Sequence, residues 1–283
     1  MDPDSGSYFS SATLFKTSLL TISFSTIYFY QPDQSFTFFK QPVIKEDTIA
    51  AVVLKPVPAR KKKTIYLSFD DGPNKGTKKV MAILQAEKIP ATLFIIGEHV
   101  YGSREQRNIY DSLVNCSLFQ IANHSYTHAF ENNYRTFYEA EDSAVGDFKR
   151  CADSLHLNSN IVRLPGRNMW RTRNLSSTDI KSTGATADSL YKNGFDVIGW
   201  DLEWHFTNNQ RLVQSDSVLL HQVDSVFANN RTKTVDQLVL LAHDRTFLSA
   251  ADSSSLHRFI ILLKSRDEYN FETISKYPGV ANN

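Results

Sequence analysis

The 283 residues, 41% hydrophobic and 22% charged, suffice for one large α/β domain, or two small ones, with an ample core. A formal charge of +1 gives no global field toward nucleic acid or acidic polymers, and nucleic acid is not expected as a partner. Cys116 and Cys151 match no zinc spacing and make no disulfide framework; two separate thiols are expected, with a single bridge in an oxidising compartment as the alternative.

After an acidic MDPDSGS comes the uncharged TSLLTISFSTIYFY, residues 17–30. It has the length of a signal-peptide core and falls short of the ~20 residues that span a bilayer comfortably. Residues 1–35 are therefore expected to be an export signal or membrane anchor, although no A-x-A site follows. A peripheral element of a cytoplasmic protein is the alternative. Residues 36–63 show no sustained period and end in KPVPARKKK, which reads as a solvated, partly extended linker.

From Thr64 to about residue 280, short apolar runs alternate with amphipathic segments. TIYLSF (64–69) is a strand, followed by a helical face of Val80, Ile83 and Leu84. ATLFII (91–96) and SLFQIAN (117–123) are strands on either side of a weaker helix near 104–114. Phe137, Val145, Phe148 and Leu155 fit one helical stripe before the strand IVRLP (161–165). A helix near 174–193 precedes DVIGWDL (196–202), and a helix carrying Val218, Val223 and Val226 precedes LVLLAH (238–243). A helix near 253–265 and the strand NFETI (270–274) close the domain.

Such alternation predicts parallel pairing through right-handed crossovers, hence an incomplete (β/α) barrel or a doubly wound sheet. Either architecture puts reactive groups just after strand C-termini. Asp70 and Asp71, His124 and His128, Arg163, Asp201 with Glu203, and His243 all stand there. In a barrel they converge on one mouth, which favours the barrel.

SFDDGP places Asp70 last on its strand, facing the mouth, with Asp71 beyond it and swung back by the Gly72-Pro73 turn. His124 and His128, four apart, share one face of a helical turn. With Asp71 they make an open two-His, one-carboxylate site for a divalent ion. Zinc suits these ligands, with cobalt, nickel or iron as alternatives. Asp70 then fits the base that takes a proton from water, and His243 the acid for the leaving group. Arg163 is placed to hold Asp70 by a charge-assisted contact, and the Gly166 N–H to meet an oxyanion.

These residues resemble the polysaccharide deacetylases of the NodB-homology type, carbohydrate esterase family four, over about residues 64–275. Ser68 to Pro73 matches that family's first motif, and His124-Ser125-Tyr126-Thr127-His128 its second. Arg163-Leu164-Pro165-Gly166 matches the third, with Arg167 where a second glycine is common, and Leu240 to His243 the fifth. The fourth is loosest: in Trp200-Asp201-Leu202-Glu203-Trp204 either acid is a candidate to support His243, and either tryptophan to wall an acetyl pocket. The resemblance implies a distorted (β/α) barrel of about seven parallel strands, by analogy with that fold. It also implies metal-dependent removal of N-acetyl groups from a glycan containing N-acetylglucosamine, with Asp70 as base, Asp71, His124 and His128 as ligands and His243 as acid. Arg163 would orient Asp70, and Gly166 would help stabilise the oxyanion. Such a substrate goes with a secreted or envelope location. An O-acetyl polysaccharide esterase, a non-catalytic glycan-binding relative and, more remotely, a non-haem Fe(II) oxygenase are the alternatives.

Overall fold

The computed structural model describes residues 62–281. The apolar stretch 17–30 and all of the linker up to Lys61 lie outside the described residues. The first strand, β1 (Lys63–Gly72), is buried on both faces, as a strand inside a parallel sheet must be. Helix α1 (Lys75–Glu87) follows, started by a reciprocal capping box between Asn74 and Thr77. Then come β2 (Ala91–Ile95), α2 (Gly97–Tyr101), α3 (Arg104–Val114) and β3 (Phe119–Asn123). A one-turn segment α4 (His128–Asn132), helices α5 (Tyr134–Glu139) and α6 (Glu141–Leu155), and β4 (Ile161–Val162) continue the order. A hairpin of β5 (Trp170–Arg171) and β6 (Ser176–Ser177) precedes α7 (Gly184–Lys192), β7 (Asp196–Val197) and β8 (Leu202–Glu203). The domain ends with α8 (Asp216–Ala228), β9 (Gln237–His243), α9 (Ala250–Lys264) and β10 (Tyr269–Phe271).

The sheet runs β6-β5-β7-β4-β3-β2-β1-β9-β8, with β10 beside the start of β1, and every pairing not involving β5 is parallel. β7 and β8 are near opposite ends of this path, yet only Ile198–Asp201 separates them. Five residue steps span at most about 17 Å, so the sheet has to curl back on itself. The result is the expected distorted α/β barrel, closed by a chain crossing instead of a continuous ladder.

Two apolar layers hold it. Leu67, Phe69, Leu93 and Ile95 pack outward against Val80, Leu84 and the other helices. Tyr66, Phe94, Val239 and Ile198 fill the interior with Trp170 and Tyr277.

Several expectations change. DVIGWDL is two strands, not one, because Gly199 bends where the Asn168 and Trp170 side chains press so closely that a Cβ has no room. Residues 174–193 are helical only from Gly184 to Lys192, preceded by a short 3-10 turn. Upstream, Asp179 accepts from the amides of Asn168 and Ile180, local bonding that competes with helix. The stripe from Phe137 to Leu155 is divided between α5 and α6 at Ala140. Val218 is 47% exposed; the buried stripe of α8 is Leu219, Leu220, Val223, Val226 and Phe227. Both cysteines are free, and burial pushes the Cys151 thiol up. Among the described residues no helix is long and apolar enough to cross a membrane.

Candidate active site

Asp70 and His243 are in register across the parallel β1–β9 ladder, so both side chains take the same face at the C-terminal mouth. Asp71 follows immediately, and in a regular strand it would face the other way. Instead the β1–β2 register shifts between Asp70 and Gly72, and Asp71 adopts φ 76°. This bulge, more than the turn after it, brings the second carboxylate to the same side.

The loop holding the histidines is not a right-handed helical turn. Ser125 has φ 66°, and His128 through Asn132 all lie in the left-handed region, with φ from 50° to 71°. None is glycine, and each such residue costs about 1–2 kcal/mol. Side chains compensate: the Ser125 hydroxyl accepts from Ala129 N (3.2 Å) and the Thr127 hydroxyl from Phe130 N (2.9 Å). Phe130 packs edge-on against Phe137. Glu131→Gly removes one penalty at an exposed position, so stability to urea is expected to rise by about 1 kcal/mol. An unchanged or lowered urea midpoint would mean that this turn carries no such strain.

His124 and His128 bring their Nε2 atoms to 3.5 and 3.3 Å from one oxygen, Asp71 Oδ1. Each ring is oriented from behind. His124 Nδ1 donates to the Arg163 carbonyl (2.9 Å), and His128 Nδ1 to Asn132 Oδ1 (2.7 Å). With the protons on Nδ1, both Nε2 lone pairs face the carboxylate. Asp71 Oδ1 is buried and has no hydrogen-bond partner. Three electron-pair donors aimed at one point, with no proton between them, fit a divalent cation. Among the described residues this is the one group of three or more such side chains placed to hold a metal. Burial alone would raise Asp71, but hydrogen bonds from His124 and His128 and the positive charge of His124, once a proton replaces the ion at their Nε2 atoms, outweigh it and hold the carboxyl well below its ordinary value. Burial would likewise lower His124, yet Asp70 and Asp71 carry it upward.

Asp70 Oδ1 is taken by the Arg163 guanidinium at 2.8 Å, and both residues are buried. Arg163 is itself fixed by Ser68 Oγ and the carbonyls of Ile198 and Gly199, with its plane 4.0 Å over the Phe94 ring. Asp70 Oδ2 is left facing His124 Nε2 at 3.7 Å. Burial lowers His243, while Asp71, Asp70 and Glu203 pull it back up.

These groups line a cleft of about 310 Å³, walled by Tyr134, Gly166, Trp200, Glu203, Phe206 and Arg245. A second cavity of about 560 Å³ adjoins it and shares Asp71, His128, Asn132 and Arg245. Of the sequence candidates, Asp70, Asp71, His124, His128, Arg163, Gly166, Trp200 and His243 are brought together. Two are not. Trp204 is in the core against Phe247 and Phe259. Asp201 accepts the backbone N–H groups of Lys233 (2.6 Å) and Val239 (2.8 Å), four strand residues away from His243. Glu203 is therefore the acid on the cleft side.

Asp201 carries a consequence for stability. Burial pushes it up to about 6 from 3.8, so between those values the folded state holds a proton that the unfolded chain releases. Its contribution is present below pH 4 and is lost as pH rises through about 6, on the order of 2–3 kcal/mol. Urea midpoints from pH 4 to 7 should fall less steeply in Asp201→Asn. An identical slope in the variant would refute this assignment.

Sequence reasoning missed Arg245, Phe206 and Tyr134. Arg245 Nη1 stands 3.4 Å from Asp71 Oδ2, with the guanidinium 5.1 Å from the Phe206 ring centre. Its nearness to His243 was the available signal; nothing local marks the two aromatics.

Residues 58–166 match the family model described as polysaccharide deacetylase, a span holding both aspartates, both histidines and Arg163 to Gly166. The chain is 23% identical to YheN of Bacillus subtilis, named for polysaccharide deacetylation, over 64% of its own length and only 58% of that protein. It is 24% identical to the chitin disaccharide deacetylase of Vibrio alginolyticus, over 76% of this chain and 71% of the other. The solved catalytic domain of a peptidoglycan N-acetylglucosamine deacetylase from Eubacterium rectale is 20% identical. It superimposes with TM-score 0.56 over 78% of this chain and 93% of that one, a likeness of fold.

Proposed function

We propose that this chain, which belongs to the polysaccharide deacetylase family, hydrolyses the N-acetyl groups of a glycan containing N-acetylglucosamine, releasing acetate and leaving a free amine. One observation carries the reading: the unpartnered Asp71 Oδ1 faces two histidine lone pairs beside an Arg163-held carboxylate and a cleft-facing His243. Asp71, His124 and His128 would hold the ion, zinc first, with cobalt, nickel or iron(II) as substitutes. When bound, it polarises the acetamide carbonyl and lowers the pKa of water toward ~7.

The rest falls to the chain. Asp70, with Oδ1 committed to Arg163, takes the water proton on Oδ2. His243 delivers a proton to the departing amine nitrogen, and burial makes its imidazolium a readier donor than a free one. The Gly166 N–H is assigned the developing oxyanion, on a residue at φ +65° where a Cβ would stand 3.1 Å from the Tyr134 ring. Trp200 walls the acetyl group, and Glu203 lines the same cleft from the strand beside that of His243. The adjoining cavity leaves room for a neighbouring sugar.

Chitin-type oligomers and peptidoglycan are the substrates to test, since relatives are named for each. Both polymers fit an export signal or anchor at residues 1–35, which lie outside the described residues. Acetate release should be measured from an N-acetylglucosamine oligomer and from purified peptidoglycan, with metal-stripped protein and after adding zinc or cobalt. Metal-dependent acetate from either supports the proposal. Acetate from acetylated xylan alone would transfer the same groups to an ester, and none from any polymer would sink the catalytic reading.

A further inference from the structure

We infer that Asp147, on α6, is a positioning residue that sets His128 for the ion; this rests on the metal-centre reading above. Asp147 is buried and lines neither cavity. A single oxygen, Oδ2, accepts three hydrogen bonds, from Tyr126 N (2.9 Å), Thr127 N (3.1 Å) and Thr127 Oγ1 (3.2 Å). All three donors belong to the short segment between the two histidines.

The two ligands depend on that segment differently. His124 is fastened to the barrel directly, its amide to the Ile95 carbonyl and its Nδ1 to the Arg163 carbonyl. His128 has neither support: its ring partner, Asn132, belongs to the same left-handed turn. Ser125 ties that turn to the frame through the Ala129 amide on its hydroxyl and the Gly97 amide on its carbonyl, and Phe130 packs on Phe137. The tie nearest His128 runs back through Thr127, whose hydroxyl also takes the Phe130 amide and whose carbonyl takes the Glu131 amide. Asp147 joins Thr127 to α6, and α6 is locked by Ala144, Phe148 and Cys151 in the core. A carboxylate collecting amide and hydroxyl protons is a strong, charge-assisted anchor. Loss of Asp147 therefore leaves Asp71 and His124 on their own supports and loosens the residue next to the third ligand, so that His128 is held less exactly. Supports one step removed from a metal typically change affinity by about 10–100-fold.

The test is zinc affinity, by competition with a chromophoric chelator, and the visible spectrum of the cobalt-loaded protein. Asp147→Ala should weaken zinc at least tenfold and alter the cobalt spectrum. In a His128→Ala background it should weaken zinc no further, because the ligand it positions is already gone. Equal weakening in both backgrounds would mark Asp147 as merely structural and overturn the inference, as would unchanged affinity in folded Asp147→Ala. Asp147→Asn keeps an acceptor oxygen and should stay within threefold of the parent. If Asp147→Ala does not fold, that variant decides, and a tenfold loss in it would overturn the acceptor role. A parent protein that binds neither zinc nor cobalt would instead remove the metal-centre reading itself.

Discussion

Asp70→Asn is expected to lower kcat by about 10²–10⁴-fold while zinc affinity stays within threefold. The asparagine oxygen still accepts from Arg163, so the frame behind the site is kept. What disappears is the basic Oδ2 next to the ligand cluster. His124→Ala makes the contrast, losing zinc and turnover together, since it removes one of the three donors Asp71, His124 and His128. The pair of measurements is kcat on an N-acetylated oligomer and zinc affinity for each variant. Near-normal turnover in Asp70→Asn would end its assignment as base, and full zinc affinity in His124→Ala would end the ligand assignment.

Arg163→Ala should be the most destabilising single change in the cleft, by about 3–5 kcal/mol. Arg163 is fully buried and bonds Ser68, Asp70 and the carbonyls of Ile198 and Gly199. Its removal leaves the Asp70 carboxylate buried and unpaired and cuts the tie to the crossing between β7 and β8. Urea unfolding measures the loss, and a double-mutant cycle with Asp70→Asn separates its sources. Part of the cost should vanish when Asp70 is already neutral. A loss below about 1 kcal/mol, the range of an exposed pair, would contradict the buried bridge.

Much of this site was legible because chemistry-bearing residues cluster where apolar runs stop. TIYLSF followed by two aspartates, LVLLAH ending in a histidine, and IVRLP carrying an arginine all locate strand C-termini. What escaped depends on dihedral sign and long-range contact. No glycine at Asp71 announces a bulge with φ 76°, and Ala129-Phe130-Glu131 gives no hint of a left-handed turn. Asp201 and Glu203 look equivalent in sequence; only the break at Gly199 and the amides of Lys233 and Val239 separate them. Val218 lies one position off the buried stripe, the error expected where an exposed apolar residue adjoins that stripe, as Val218 does beside Leu219 and Leu220.

The short crossing from β7 to β8 also limits how the domain can be divided. β1, near the N-terminal end of the described residues, is covered along Thr64–Asp70 by β9, which comes from residues 237–243. A fragment ending at Gly166 would keep the aspartates, the histidines and Arg163, but it would leave the β1 edge bare and lose the carbonyls that fix the guanidinium. Inheritance by recombination therefore has to move the whole barrel: half of it carries all three proposed metal ligands and still has no way to close.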